Sequence, residues 1–250
     1  MTKQNTGTNS DGADIRQGMM LAAGLGMRMR PITDQTPKPL IKVCGKALID
    51  HGLDALANAG VKKAVVNVHH LADQVEAHLD GRNPPAIAIS DERACLMDSG
   101  GGIKKALGQL DDRPSYVLNA DSFWLEGVCP NLPAMARQWD GSKMDFLLLL
   151  SGMQQAVGYQ GSGDFDMDAD GRLSRRRERK IAAFVYCGAA VFHPRIFDDT
   201  PDEPFSVNML FDRAAAAGRL YGMRLDGLWL HVGTPESIGE AETAIARSAA

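Results

Sequence analysis

From Met19 to Asp121 the chain alternates short apolar runs of strand formers with stretches of helical period, and few folds accommodate that alternation. "MMLAA" leads into a loop, and "ALIDHGLDALANAG" then places Ile49, Leu53, Leu56 and Ala57 at helical spacing before Gly60. "KKAVVNVHH" reads as a strand, "LADQVEAHL" as a helix, "AIAIS" as a strand, "GGIKKALGQL" as a helix and "SYVLNAD" as a strand. Strands separated by helices predict βαβ units and an α/β fold, a Rossmann-like mostly parallel sheet flanked by helices.

Beyond residue 121 the character changes. "MDFLLLL", "GDFDMDADGRL" and "IAAFVYCGAAVFHP" are β-rich, with "DADG" as a turn, and predict a small antiparallel β-rich insertion beside the main sheet. "VNMLFDRAAAAG" and "TPESIGEAETAIARSA" read as helices, the second capped by Thr234 with Pro235 in its first turn. No linker or repeat interrupts the pattern, so residues 18–250 are expected to form a single domain. Residues 1–17 are polar, lack the apolar stretch of a signal peptide, and are expected to be a disordered lead.

With 250 residues, 44% of them apolar, the chain can bury a full core. Its net charge of −4 argues against a nucleic-acid surface, and no apolar run reaches membrane-spanning length. Cys44, Cys95, Cys129 and Cys187 are too widely spaced for a zinc knuckle or a disulfide framework, and each is expected to be a small buried residue. A cytoplasmic protein, monomeric or a small homo-oligomer, fits these features.

Ligands of open α/β sheets sit beyond the carboxyl ends of the strands. Gly24, Glu92 and Asp121 each follow a predicted strand, so they share one rim. The first loop, "LAAGLGMRMRPITDQTPKPL", sets Ala23, Gly24, Gly26, Met27 and Arg28 ahead of a Pro37-Lys38-Pro39 clip. Glycines make room there, and prolines fix the backbone carrying a cation. That combination suits an anion, most often a phosphate. A solvated charged loop is the plainer alternative, since neither a complete dinucleotide fingerprint nor a P-loop is present. Gly100, Gly101 and Gly102 are expected to precede a helix starting near Ile103, exposing amides to a ligand or only forming a tight turn.

The first loop resembles the signature of the sugar-1-phosphate nucleotidylyltransferases. "DSGGGIKKAL", "LNADSFW", "GDF" and "WLHVGTPESIGEAE" resemble further blocks of that family in the same order, over about residues 19–246. The glycine block looks like the branch acting on N-acetylmuramic acid 1-phosphate. The resemblance implies a fold of the nucleotide-diphospho-sugar transferase type and a Mg²⁺-dependent transfer of a nucleotidyl group to a sugar 1-phosphate, with release of pyrophosphate. It favours UTP with N-acetylmuramic acid 1-phosphate, in cell-wall recycling, with GTP and mannose 1-phosphate as the alternative. It also implies roles residue by residue: Ala23, Gly24, Gly26, Met27, Arg28, Lys38, Glu92 and Gly101 for the nucleotide, Asn119 and Asp164 for the sugar phosphate, Asp121 for the metal, and Arg28, Lys38 and Asp121 for catalysis.

The chemistry suits those residue types. A phosphate monoester, with a second pKa of about 6, is already an anionic nucleophile near neutrality and needs no general base. Bringing two polyanions together calls for positioning and for cations. The chain departs from the family at His231, where many relatives carry an aspartate. There the imidazole could be a second metal position, a phosphate contact or a structural group. His231 is also the one feature favouring a rival reading, a non-catalytic nucleotide-sugar-binding protein of the same fold.

Three other features are discounted. "DMDADGRLSRRR" resembles a calcium loop but has Arg177 where a glutamate is required. The basic run Arg172 to Lys180 reads as a solvated segment. His69 and His70 read as structural.

Overall fold

The computed structural model describes residues 12–249. The chain runs through β1 (Gln17–Leu21), three 3-10 turns, the short pair β2 (Lys42–Val43) and β3 (Lys46–Ala47), α1 (Leu48–Asn58), β4 (Lys63–Val68), α2 (Ala72–Leu79), β5 (Ala86–Asp91), α3 (Asp98–Ala106), β6 (Ser115–Asn119), β7 (Ser122–Glu126) and α4 (Asn131–Gln138). It continues through β8 (Phe146–Gly152), β9 (Ala156–Val157), β10 (Phe165–Met167), β11 (Leu173–Arg175), β12 (Phe184–Phe192), α5 (Asn208–Ala216), β13 (Leu220–Arg224), β14 (Gly227–His231) and α6 (Pro235–Ser248).

The alternating pattern folds as expected. β1 is central, flanked by β4 and β6, with β5 outside β4, all parallel. Successive residues of these strands point to opposite faces. Met20, Val66 and Leu118 pack with α1, α2 and α4, whereas Met19, Val65 and Val117 pack with α3 and α5. Both faces are therefore covered, which explains why the strands read as continuous apolar runs.

The β-rich second half differs from a separate insertion. β12 runs antiparallel to β6 and to β8, the β10–β11 hairpin pairs with the start of β12, and β13 pairs parallel with β8, so these five strands extend the main sheet from four to nine. The strands that stand apart are β7, β14 and β9, a three-stranded sheet packed against α6. Register matters here. Ala189 of β12 faces Leu118 of β6, so residues 184–187 overhang the carboxyl end of β6. β8 occupies the other edge of β12 along both halves, so the hairpin pairing at Phe184 hangs over the same rim. Gly188 lies where the register of β12 shifts; a Cβ there would sit 2.5 Å from Ser122 Oγ and 3.1 Å from the Asn119 side chain.

Two expectations about extent and burial change. Ile15 and Gln17 are buried, the Ala13 amide donates to Ala136, and Lys62 donates to the Arg16 carbonyl, so residues 13–17 belong to the fold. The rest of the expected lead, 1–11, lies outside the described residues. Of the four free cysteines only Cys187 is buried; Cys44, Cys95 and Cys129 are exposed. Among the described residues, no helix is long and apolar enough to cross a membrane.

Candidate active site

The first loop is shaped by its glycines and prolines. Gly26 adopts φ +63°, and a Cβ on it would lie 2.7 Å from Thr33 Cγ2 and 3.2 Å from Lys38 Cβ, so both its dihedral and its close approach exclude a side chain. Its carbonyl accepts from Thr33 Oγ1 at 2.9 Å and from the Met29 amide at 2.8 Å, tying the turn to the fully buried Met29. Pro37 is extended, and Lys38 opens a one-turn 3-10 segment with Pro39 buried behind it. The Lys38 side chain is therefore held at 11% exposure, with Nζ donating to Asp121 Oδ2 at 2.7 Å.

Asp121 follows β6 and precedes β7, and its carbonyl accepts from the Val232 amide at 3.1 Å. That bond brings the end of β14 against the carboxyl end of β6. His231 and Arg28 converge over Gly233, where a Cβ would lie 2.7 Å from His231 Nε2 and 3.5 Å from Arg28 Nη1. Gly24, Gly26, Met27, Arg28, Lys38, Asp121 and Gly233 line a cavity of about 240 Å³. A Cβ on Gly24 would meet nothing within 4 Å, so the backbone there is open to a ligand.

The electrostatics follow from these neighbours. Burial pushes the Asp121 carboxyl up, but Lys38, His231 and Arg28 outweigh it and hold it below the usual carboxylate range. Burial pulls the His231 imidazole down, Asp121 opposes this, and Lys38 and Arg28 add to it, so His231 is neutral at pH 7. Arg28 makes no hydrogen bond to another described residue, which leaves its guanidinium available to an anion.

The expected sugar-phosphate residues are not among the residues lining this cavity, and both lie toward the rim that β12 overhangs. Asn119 ends β6 beside Gly188. Asp164, under the overhanging hairpin, accepts from the Tyr186 amide at 2.9 Å. Two aromatic residues missing from the sequence reading pack near His231. Tyr159 lies 5.7 Å from the Trp229 ring and 6.5 Å from the His231 ring, centroid to centroid. No local sequence signal marks Tyr159, because the contacts that place it come from β14, far along the chain.

Two expected nucleotide residues have other work. Glu92 is fully buried; its carboxylate accepts from Asn67 Nδ2 at 2.7 Å and from the Met97 amide at 2.9 Å. Asn67 Oδ1 in turn accepts from the Ala22 amide at 2.7 Å, so Glu92 acts as a brace behind Ala23 and Gly24, with neither oxygen left for a nucleotide. Gly101 lies inside α3, which starts at Asp98 rather than near Ile103. Its amide and that of Gly100 donate to the Phe205 carbonyl at 3.0 and 2.9 Å. The glycines are required because Cβ atoms on Gly100 and Gly102 would strike the Phe205 ring at 2.4 Å and the Glu92 carboxylate at 2.8 Å.

The discounted features are settled by their bonds. Asp168 Oδ1 accepts from the amides of Asp170 and Arg172, closing the hairpin turn. His69 Nδ1 pairs with the Glu92 carbonyl and His70 Nε2 with the Thr33 carbonyl, each at 2.7 Å.

Comparison with known proteins agrees with this geometry. The nucleotidyl transferase family matches residues 17–248. The N-acetylmuramate alpha-1-phosphate uridylyltransferase of Caulobacter vibrioides is 46% identical over 92% of this chain and 97% of its own. The enzyme of the same name from Neisseria meningitidis serogroup B is 33% identical over 90% of this chain and 96% of its own. Among solved structures, a UDP-glucose pyrophosphorylase complexed with UDP-glucose superposes with a TM-score of 0.78 at 16% identity, covering 94% of this chain and 99% of that one.

Proposed function

Since the chain belongs to the nucleotidyl transferase family and is an enzyme acting on sugar 1-phosphates, we propose that it joins UTP to N-acetylmuramic acid 1-phosphate, forming UDP-N-acetylmuramic acid and pyrophosphate. The observation that carries the substrate choice is the 46% identity, sustained over nearly the whole of both chains, to the Caulobacter enzyme. The cavity supports the reaction class. An oxygen of the sugar phosphate attacks the α-phosphorus, and the bond to the departing pyrophosphate breaks. Gly24 and Gly26 let the triphosphate approach the backbone, while Arg28 and Lys38 orient it and offset the charge gathering on its oxygens. Asn119 and Asp164 orient the sugar phosphate.

Divalent metal dependence is general in this family. Asp121 supplies one carboxylate and His231 one neutral imidazole, and no group of three or more ligating side chains occurs among the described residues. Such a donor set fits Mg²⁺ held by one carboxylate together with substrate phosphate oxygens and water. When bound, the ion would neutralise phosphate charge.

Pyrophosphate release tests the reading. The purified protein with Mg²⁺ is offered four nucleoside triphosphates against the 1-phosphates of N-acetylmuramic acid, N-acetylglucosamine, glucose and mannose. UTP with N-acetylmuramic acid 1-phosphate is the expected best pair. GTP with mannose 1-phosphate as the best pair would replace it.

A further inference from the structure

We infer that Arg176 is a specificity residue that binds a carboxylate carried by the sugar of the sugar phosphate. The inference rests on the substrate proposed above, because N-acetylmuramic acid differs from N-acetylglucosamine by an ether-linked lactic acid, ionised at neutral pH.

Placement comes first. The β10–β11 hairpin overhangs the carboxyl end of β6, where Asn119 and Asp121 lie. Arg176 directly follows β11, and its amide donates to the Asp164 carbonyl at 2.9 Å, so it belongs to the part of the hairpin that overhangs the carboxyl end of β6. From there the wall continues through Tyr159, whose hydroxyl accepts from the Gly163 amide at 3.2 Å, to His231. Gly163 links the two side chains, its amide donating to the Tyr159 hydroxyl and its carbonyl accepting from Arg176 Nε.

The way Arg176 is held is the second observation. Nε donates to the Gly163 carbonyl and Nη1 to the Lys180 carbonyl, each at 3.1 Å, which fixes the guanidinium plane. In the same run Arg172 pairs with Asp170 at 3.0 Å and Arg175 with Asp212 at 2.6 Å, and of the cations left unpaired among the described residues, Arg176, Arg177 and Lys180, only Arg176 has its side chain held by hydrogen bonds. Arg176 has no ion-pair partner among the described residues, and the nearby Asp164 carboxylate is turned to the Tyr186 amide. A braced, uncompensated guanidinium with a nitrogen to spare is the usual reader of a planar carboxylate.

The test compares kcat/KM for N-acetylmuramic acid 1-phosphate and N-acetylglucosamine 1-phosphate, with UTP, in the parent, Arg176→Gln and Arg176→Lys. Arg176→Gln is expected to lose about 10- to 100-fold on the muramic substrate, through KM, the size of a lost charged hydrogen bond. The glucosamine substrate should be nearly unaffected, and Arg176→Lys should recover part of the loss. Equal loss on both sugars would show that Arg176 only braces the hairpin and would overturn the inference. A parent that prefers the muramic substrate alongside an Arg176→Gln variant that keeps the full preference would overturn it as well, leaving the proposed function standing. A parent without that preference would overturn the proposed substrate, and this inference with it.

Discussion

Asp121 and Asp145 stand at opposite edges of the main sheet, each beside basic side chains, and they are finished differently. Since β12 is antiparallel to both β6 and β8, those two strands run the same way. Asp145, just before β8, is thus at the amino edge and Asp121, just after β6, at the carboxyl edge. Asp145 is 7% exposed and receives Arg195 Nε at 2.7 Å and Arg219 Nε at 2.9 Å. Arg195 Nη2 and both terminal nitrogens of Arg219 go to the carbonyls of Gly141, Ser142 and Met144. Both Asp145 oxygens and every guanidinium nitrogen except Arg195 Nη1 have a partner within the cluster. Asp121 has one cation on one oxygen, a second cation nearby without a partner, and open space in front. The same residue types make a brace where nearly every donor is consumed and a site where a whole guanidinium is left over.

Mutating each carboxylate should separate the two kinds of cluster. Asp121→Asn keeps its size and loses its charge, and turnover is expected to fall about 10³-fold with the melting temperature preserved. A variant that responds to Mg²⁺ as the parent does would remove Asp121 from the metal's ligands. Asp145→Asn should do the reverse. It leaves two buried-edge arginines without their counter-ion, at a cost of about 3 kcal/mol in urea unfolding, with kcat little changed at a temperature where the variant is folded.

Lys38→Ala and Arg28→Ala sharpen the contrast further. Each is expected to lose about 10²-fold in turnover while thermal stability holds, because their charges serve a ligand rather than the fold. Near-normal rates in both would erase the distinction drawn here.

The smallest expected effect concerns an imidazole on the structural side. His51 stacks on Phe123 at 4.0 Å, and burial first, then Lys46, outweighs Asp54 and Asp50 to pull its pKa down to about 4. The unfolded chain, with an ordinary histidine pKa of about 6.5, takes up the proton first as pH falls. Stability from His51 is therefore complete above about pH 6.5 and declines toward about pH 4. Melting curves across that range should slope less for His51→Gln than for the parent.

The parallel half of the fold was legible because hydrophobic period and loop chemistry are local. Gly24, Gly26, Arg28, Lys38 and Asp121 were legible for the same reason, each lying at the end of a readable strand or in a readable loop. Glu92 misled because a carboxylate at a strand end looks the same whether it faces solvent or Asn67. Gly100 and Gly102 misled because what they make room for, Phe205 and Glu92, is fixed only by tertiary packing. Arg176 read as one cation of a solvated run, and only the register of β12 against β6 shows where it hangs.

The bond from Val232 to Asp121 joins residues more than a hundred positions apart, and it governs when the site comes into being during synthesis. β1, β4, β5 and β6 can pair as soon as they are made, whereas His231 and Gly233 are made only after them, and α6, which packs on the three-stranded sheet, follows. A nascent chain would therefore carry Arg28, Lys38 and Asp121 before the Gly233 wall of their cavity is made. Until β14 and α6 have emerged, that cavity would remain an open groove.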